Sequence, residues 1–215
     1  MVAFAHQPVK EWVSLAEYLA IEERTGLKYE WFNGQMWLWG GAPTEAMAGA
    51  TPIHNTLSTN VIVSLGNQLR GKPCQPWGSD QKIKVAATGL RAFPDVVVAC
   101  PPHQWDEETP NTLLNPRVLI EVLSPSTADF DHNDKFDHYR QLASMTDYVM
   151  IASDRRKIEH YHRREDGDWL LHIAEADGDL VQFSAIDCRL LLEEVYERIA
   201  FPTSAEVTTE VSNAG

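Results

Sequence analysis

The chain has 215 residues, of which 44% are hydrophobic, so it is long enough to bury a sizeable core. Its longest apolar runs are about five residues, which is too short for a membrane-spanning helix, and its first ten residues lack the apolar stretch of a signal peptide. The net charge of −13 argues against a broad basic surface for nucleic acid. We therefore expect a cytoplasmic protein that does not contact the membrane.

The N-terminal segment predicts a helix followed by a hairpin. Ser14 begins a capping box and Gly26 follows the last helical residue. Asn33 and Gly34 form the dipeptide preferred in two-residue type I′ turns. The strands that this turn joins would span residues 28–32 and 35–39.

A second helix is predicted over residues 52–70. Thr51 can cap it, Pro52 suits its first position, and Gly71 suits the position just past its end. Apolar residues recur every four positions and would form its buried stripe. They are Ile53, Leu57, Val61, Leu65 and Leu69.

The remaining pattern predicts one α/β unit over residues 1–200. The segments 95–100 and 117–123 are near-continuous apolar runs, which are typical of central strands covered on both faces. A third helix is expected over residues 131–143, and residues 201–215 have the composition of a disordered tail. Further strands are predicted at 81–85, 148–151, 157–163 and 169–174, the last two paired as a hairpin.

The cysteines and two histidines offer weaker signals. Cys74, Cys100 and Cys188 are widely spaced and form no CxxC pair, so we interpret all three as reduced thiols. His160 and His162 alternate onto one face of a strand. They could be a pair of metal ligands, but an exposed strand face explains them too and is the favoured interpretation.

Two carboxylates stand out because each lies among aliphatic residues. Asp95 begins one apolar strand and Glu121 lies near the end of the next. An ionised carboxylate in such surroundings needs a cation, a partner or hydrogen bonds. If the two strands are antiparallel neighbours, both carboxylates meet at one sheet edge, where a divalent cation would relieve their repulsion.

A lysine follows within reach of this edge. Asp131, Lys135 and Tyr139 are spaced by four residues on the predicted third helix and so share one face. Lys135 could therefore approach the two carboxylates. Each residue also has a structural interpretation: Asp95 as a turn aspartate, Glu121 in an ion pair with Arg117 or Lys135, and Lys135 paired with Asp131.

Several motifs resemble those of the Uma2 family of endonucleases. The run FPDVVV spans residues 93–98 and the run IEVLSPST spans residues 120–127. YEWFNG at residues 29–34 and His54 are similar to the family's opening motifs. The resemblance extends from about residue 15 to residue 156. It implies a restriction-endonuclease-like α/β (α+β) fold, with a mixed sheet flanked by helices and a PD-(D/E)XK core.

The resemblance also implies roles for particular residues. Asp95 and Glu121 would bind Mg²⁺ or Mn²⁺, which would polarise a phosphate and activate water. The usual lysine two residues after the glutamate is absent, since that position is Leu123. The resemblance points instead to Lys135 as the third catalytic residue. Supporting places in the site fall to Glu30, His54 and Asp131.

The expected function is metal-dependent hydrolysis of phosphodiester bonds in DNA, with a homodimer as one arrangement. Two alternatives stay open. One is a nucleic-acid-binding or regulatory module that keeps the site but turns over little. The other is a nonenzymatic interaction protein in which the carboxylates form ion pairs. Metal binding separates the first two interpretations from the third.

Overall fold

The computed structural model describes residues 8–39, 51–123 and 134–201. The helices are α1 (Leu15–Thr25), α2 (Pro52–Gln68), α3 (Phe136–Tyr139) and α4 (Leu192–Val195). The strands are β1 (Lys10–Glu11), β2 (Tyr29–Phe32), β3 (Gln35–Leu38), β4 (Gln75–Gly78), β5 (Ile83–Lys84), β6 (Arg91–Ala92), β7 (Val96–Ala99), β8 (Pro116–Leu123), β9 (Asp147–Ala152), β10 (Ile158–Arg163), β11 (Trp169–Ala174), β12 (Leu180–Phe183) and β13 (Cys188–Leu191). Within these described ranges, no helix has the length and apolar character needed to cross a membrane.

The N-terminal predictions are confirmed. The Ser14 hydroxyl accepts a hydrogen bond from the Glu17 backbone N–H at 3.2 Å, and Gly26 ends α1 in the left-handed conformation with φ of 65°. Asn33 and Gly34 both have positive φ, as a type I′ turn requires. The turn pairs β2 with β3.

Helix α2 follows its sequence signals closely. The Thr51 side chain accepts a hydrogen bond from the His54 backbone N–H, and Pro52 occupies the first helical position. The helix ends at Gln68, two residues before the predicted end. Of the predicted stripe, Leu57, Val61, Leu65 and Leu69 are buried and Ile53 is partly buried against them.

A mixed six-stranded sheet forms the centre of the described structure. Its strand order is β11-β10-β9-β8-β7-β4, and only the β8–β9 pair within it is parallel. β7 and β8 are antiparallel neighbours, which is the condition under which Asp95 and Glu121 were expected to meet at one sheet edge, and every residue of β7 is buried. The hairpin of β10 and β11 is also confirmed.

Two smaller sheets accompany the central one. A five-stranded sheet has the order β1-β3-β2-β6-β5, and a third sheet pairs β12 with β13. The segment predicted as one strand over residues 81–85 contributes only β5 to the five-stranded sheet. The sequence analysis did not predict β1, β4, β6, β12 or β13. These strands have four residues or fewer, which is too short for a clear alternating pattern.

The central sheet is buried on both faces. On one face, α2, the β12–β13 pair and α4 pack against Val96, Ile120 and Val149. On the other, residues from β5, β6 and α3 pack against Val97, Leu119 and Met150. This two-sided burial explains the continuous apolar sequences of β7 and β8.

The predicted third helix is shorter than expected. Residues 131–133 lie outside the described residues. A π-type turn at residues 134–135 leads into α3, which ends at Tyr139 rather than at residue 143. Hydrogen bonds of the i→i+3 type at Gln141, Leu142 and Met145 replace the helical ones, so the chain continues as successive turns.

The interpretation of all three cysteines as reduced thiols is wrong for two of them. Cys74 directly precedes β4 and Cys100 directly follows β7, and the register pairs the adjacent residues Gln75 and Ala99. The two cysteines therefore lie opposite each other, with 4.1 Å between their Cα atoms, and form a disulfide. Cys188 remains a buried free thiol.

Candidate active site

Asp95 is held at the end of β8 by two neighbours. It directly precedes β7, and its Oδ2 accepts a hydrogen bond from the Val122 backbone N–H at 2.8 Å. Nε2 of His54, near the start of α2, lies 3.2 Å from the same oxygen. Asp95 is 6% exposed. The antiparallel register and this backbone contact place the carboxylate beside the residue that follows Glu121.

Glu121 lies within β8 and is 4% exposed. Its Oε1 accepts hydrogen bonds from Lys135 Nζ at 3.1 Å and from the Tyr139 hydroxyl at 3.0 Å. Burial raises the pKa of the Tyr139 phenol well above its usual value, and the negative charge of Glu121 raises it further. Tyr139 therefore stays protonated and acts as a permanent donor to the carboxylate.

Lys135 joins two buried carboxylates. Its Nζ lies 3.1 Å from Glu121 Oε1 and 3.4 Å from Glu30 Oε1. Lys135 precedes α3, and Tyr139 lies four residues later on the same face, so both side chains reach β8 from one short helical segment.

Glu30 comes from a different sheet. It lies in β2, opposite Trp37 of β3, and is 7% exposed. The five-stranded and six-stranded sheets therefore each contribute a carboxylate to the same lysine. Glu30 and His54, named as supporting residues, contact different members of the predicted triad.

The structure describes five of the six predicted site residues. Those five are Glu30, His54, Asp95, Glu121 and Lys135. His54 contacts Asp95, and Lys135 contacts Glu30 and Glu121, while the Val122 N–H holds Asp95 beside the strand residue that follows Glu121. Asp131, the sixth, lies outside the described residues, so its supporting role stays a prediction. The sequence analysis placed Tyr139 on the face of Lys135 but gave it no role, and its hydrogen bond to Glu121 needed the helix to be docked. Arg117, the other partner considered for Glu121, donates instead to the Ser144 carbonyl.

Two other lysines near this part of the chain are engaged elsewhere. Lys82 forms an ion pair with Glu22 of α1. Lys84 pairs with Asp106 at 2.7 Å and with Glu108 at 3.1 Å. Position 123, which holds lysine in the usual motif, is a leucine packed in the core. Lys135 is therefore the lysine that the fold delivers to Glu121.

The donor set suits a hard divalent cation. The proposed site has three carboxylates, those of Glu30, Asp95 and Glu121, and one ammonium group, that of Lys135. Negative charge is therefore in excess when the carboxylates are ionised. Among the described residues, no three of these side chains have ligand atoms within 4.8 Å of one another. Mg²⁺ commonly binds through one or two carboxylates and completes its shell with water and phosphate. In the described part of the chain, the buried Nδ1 of His54 has no hydrogen-bond partner, which leaves a polar atom for a further group.

The fold described above is similar to that of a solved structure. A solved structure from Anabaena variabilis ATCC 29413, described as a putative nuclease belonging to DUF820, superposes with a TM-score of 0.66. The superposition covers 86% of this chain and 97% of that one at 15% sequence identity, which establishes likeness of fold. The mixed α+β fold predicted from the sequence is thereby confirmed.

The chain belongs to the Uma2 family. The model of the family described as "Uma2: Putative restriction endonuclease" matches residues 15–190. Two relatives come from Synechocystis sp. (strain ATCC 27184 / PCC 6803 / Kazusa). The uncharacterized protein slr1290 is 33% identical over 92% of this chain and 99% of that protein. The uncharacterized protein sll1609 is 29% identical over 80% of this chain and 93% of that protein.

Proposed function

We propose that the protein is a divalent-metal-dependent endonuclease that hydrolyses phosphodiester bonds in DNA. The observation that carries the proposal is the contact of Lys135 with Glu121. It supplies a lysine to the acidic pair although the residue two positions after Glu121 is a leucine. The proposed catalytic residues are Asp95, Glu121 and Lys135, and the proposed metal ligands are Asp95 and Glu121.

Each residue in the site has a defined task in this proposal. Asp95 and Glu121 would hold Mg²⁺ or Mn²⁺, which when bound supplies a polarised phosphate and a more acidic water. Lys135 presents positive charge to the phosphate as negative charge develops on it. Tyr139 fixes the orientation of Glu121, and the Val122 N–H and His54 fix Asp95. Glu30 positions the ammonium group of Lys135.

The ion pair between Lys135 and Glu121 also favours a second candidate function. A lysine that neutralises Glu121 is what a binding or regulatory module with little turnover would contain. The excess of carboxylates over ammonium groups supports the enzyme, because a purely structural cluster gains nothing from keeping Asp95 and Glu30 buried near Glu121. Metal-dependent turnover separates the two functions.

The overall charge shapes how DNA would be bound. At −13, most of the surface repels phosphate, so general electrostatic attraction contributes little. A cation shared between carboxylate and phosphate oxygens would provide attraction at the site itself. The nuclease would then depend on metal for binding as well as for hydrolysis.

The test is cleavage of supercoiled, linear and single-stranded DNA and of RNA, with Mg²⁺, with Mn²⁺ and with EDTA. Wild-type protein should cleave DNA only with metal, and Glu121→Gln should lose that activity. A matched control is Glu22→Gln, which alters a carboxylate paired with a partly buried lysine outside the site. Unchanged cleavage by folded Glu121→Gln contradicts the proposed site. Absence of cleavage of every nucleic acid, with metal still bound, favours the binding module.

Three further expectations accompany the proposal. The protein would act in the cytoplasm, residues 1–200 would form one domain, and two copies would associate as a homodimer. Light scattering of the purified protein measures the last of these directly. If the protein is a monomer at the concentrations that support cleavage, the expected homodimer is contradicted and the proposed active site is unaffected.

A further inference from the structure

A second cluster of potential metal ligands lies away from the proposed active site. Asp147 is the first residue of β9, and its register partner on β10 is His162. His160 precedes His162 by two residues, so both imidazoles project from the same face of β10 as the Asp147 side chain. Among the described residues, this is the only group of three such side chains whose ligand atoms all lie within 4.8 Å.

The cluster converges on one oxygen. Oδ1 of Asp147 lies 2.7 Å from Nε2 of His160 and 2.8 Å from Nδ1 of His162. The other carboxylate oxygen, Oδ2, accepts a hydrogen bond from the Thr146 hydroxyl at 2.7 Å. Outer hydrogen bonds of this kind orient carboxylates that bind metals. Thr146 thus leaves Oδ1 directed toward the two imidazoles.

The Asp147 carboxylate is completely buried. Its side chain is 0% exposed and is surrounded by the polar side chains of His160, His162 and Thr146. A buried anion facing two imidazoles is a strong electrostatic site for a cation. The same groups can also satisfy one another as a hydrogen-bonded cluster, so ion binding is the point that needs a test.

The ligand types identify the class of ion. Two imidazole nitrogens and one carboxylate oxygen suit Zn²⁺ and related first-row transition metals, whereas Mg²⁺ prefers oxygen ligands alone. Metal–ligand distances of about 2.0–2.2 Å in a tetrahedral site put ligand atoms about 3.3 Å apart. The observed separations from Asp147 therefore need to open by only about 0.5 Å. Each ring would carry its proton on the nitrogen that faces away from the ion.

Solvent reaches this cluster from one side. The His162 side chain is 34% exposed, whereas those of His160 and Asp147 are 6% and 0% exposed. His160 also packs edge-on against Phe183 of β12, which fixes its ring. Two rigid ligands and one accessible ligand give an ion an entry path and leave room for a water molecule as a fourth ligand.

The cluster is distinct from the proposed active site. Asp147 pairs with Val118 of β8, whereas Glu121 pairs with Met150 of β9, so the two sites are three residues apart along the strands. They also lie on opposite faces of the sheet, because Val149 packs with α2 while Tyr148 and Met150 pack with α3. An ion at one site does not share a ligand with the other.

We propose that Asp147, His160 and His162 bind one Zn²⁺ ion and so cross-link β9 to β10. The bound ion would stabilise the end of the central sheet where β10 pairs with the edge strand β11. This proposal does not rest on nuclease activity.

The test uses full-length protein without a histidine tag, stripped with a chelator and then given Zn²⁺ alone. Metal retained after dialysis is counted, and affinity is measured by competition with a chromogenic chelator. Wild-type protein should retain one Zn²⁺ per chain. His162→Gln and Asp147→Asn should each weaken Zn²⁺ binding by about tenfold or more. Loss of a residue that only hydrogen-bonds to a metal ligand already costs about tenfold or more in affinity, and loss of the ligand itself should cost at least as much.

Controls separate this cluster from other histidines and from the active site. His103→Gln and the double variant Asp95→Asn, Glu121→Gln should bind Zn²⁺ as wild-type protein does. A melt of metal-free His162→Gln shows whether the variant is folded, and the partial exposure of this residue makes it the least disruptive of the three changes. Failure of wild-type protein to retain Zn²⁺ overturns the proposal. So does wild-type affinity in folded His162→Gln, or loss of binding in the active-site double variant.

Discussion

The ammonium group of Lys135 lies 3.1 Å from Oε1 of Glu121, although the two residues belong to different elements and are separated by 14 positions. The same ammonium lies 3.4 Å from Glu30. Breaking a buried ion pair by removing one partner typically costs about 3–5 kcal/mol, because the other charge stays buried. Lys135 is therefore expected to matter for folding as well as for catalysis.

Replacing Lys135 with methionine keeps the aliphatic stem and removes the charge. We expect cleavage to fall by about a hundredfold or more, since one contact that stabilises the transition state is lost. The free energy of unfolding without metal should also fall, as measured by urea denaturation. Added Mg²⁺ should restore part of that stability by replacing the missing positive charge.

The matched control for this change is Lys82→Met. Lys82 is a partly buried lysine whose carboxylate partner is Glu22 of α1. The Lys82→Met variant should have a lower free energy of unfolding and an unchanged cleavage rate at saturating substrate. If Lys82→Met loses activity while Lys135→Met retains it, the lysine of the active site has been misassigned.

Metal should stabilise the folded protein through Asp95 and Glu121. At a concentration of about 100 times its Kd, Mg²⁺ or Mn²⁺ should add about 2.7 kcal/mol to the free energy of unfolding. Thermal melts with metal and with EDTA measure the difference. The double variant Asp95→Asn, Glu121→Gln should show no such shift, and an equal shift in that variant would assign the stabilisation to another site.

Asp106 should make the protein sensitive to acid. Burial alone would raise the pKa of its carboxyl, but hydrogen bonds from Lys84 and Thr109 and the charges of Lys84 and Arg91 lower it below 3.8. A carboxyl with a lowered pKa contributes stability that is present above its unfolded pKa and is lost as pH falls through its folded pKa. The wild-type free energy of unfolding should therefore decrease below about pH 4.

Urea denaturation at neutral pH and at about pH 3 measures this contribution. In Asp106→Asn the difference between the two conditions should be smaller, because the titrating group is gone. The exposed Asp168→Asn change is the control and should follow the wild-type pH dependence. Equal acid sensitivity in Asp106→Asn would assign the loss of stability to other carboxyl groups.

DNA binding should depend more on divalent metal than on general electrostatic attraction. Each lysine or arginine contact with phosphate contributes about −0.9 to the slope of log affinity against log salt. With a net charge of −13, we expect weak binding in EDTA and a shallow slope. Ca²⁺ should raise the affinity, and anisotropy across a salt series measures both quantities. Tight, steeply salt-dependent binding in EDTA would reveal a basic DNA-binding surface and contradict this prediction.

The disulfide between Cys74 and Cys100 should stabilise the fold. It closes a loop of 26 residues, for which loop-closure entropy predicts about 3.5 kcal/mol. Dithiothreitol should lower the melting temperature of wild-type protein and leave that of Cys74→Ser, Cys100→Ser unchanged. Mass spectrometry of peptides from unreduced protein identifies the bond. Detection of two alkylatable thiols at these positions in air-oxidised, folded protein would contradict it.

Much of the candidate site could be predicted because its signals are local. Asp95 and Glu121 were recognisable as charged residues within apolar strands, and those strands are antiparallel neighbours. Lys135 was indicated by its helical spacing and by motif resemblance, whereas Glu30 and His54 came from resemblance alone. In the structure Lys135 contacts Glu121 and Glu30, and His54 contacts Asp95.

Other features depend on strand register and could not be read from the sequence. Cys74 and Cys100 meet only because β4 pairs with β7. The sequence pattern did not predict β4, because this strand is short and contains a proline. Asp147 was placed just outside its predicted strand, so its approach to His160 and His162 was hidden. The shortened α3 reflects packing of its turn against β8 and β9, which helical spacing does not encode.

The contact between the two larger sheets sets a lower limit on how far this protein can be truncated. The six-stranded sheet provides Glu121, but the second carboxylate on Lys135 comes from the hairpin of β2 and β3. A fragment that begins at α2 would retain Asp95, Glu121 and Lys135 but would lose the contact of Lys135 with Glu30. Coexpression of residues 8–39 with residues 51–201 should restore the contact between Glu30 and Lys135 that the larger fragment alone lacks. The N-terminal hairpin would then complement the larger fragment as a separate chain.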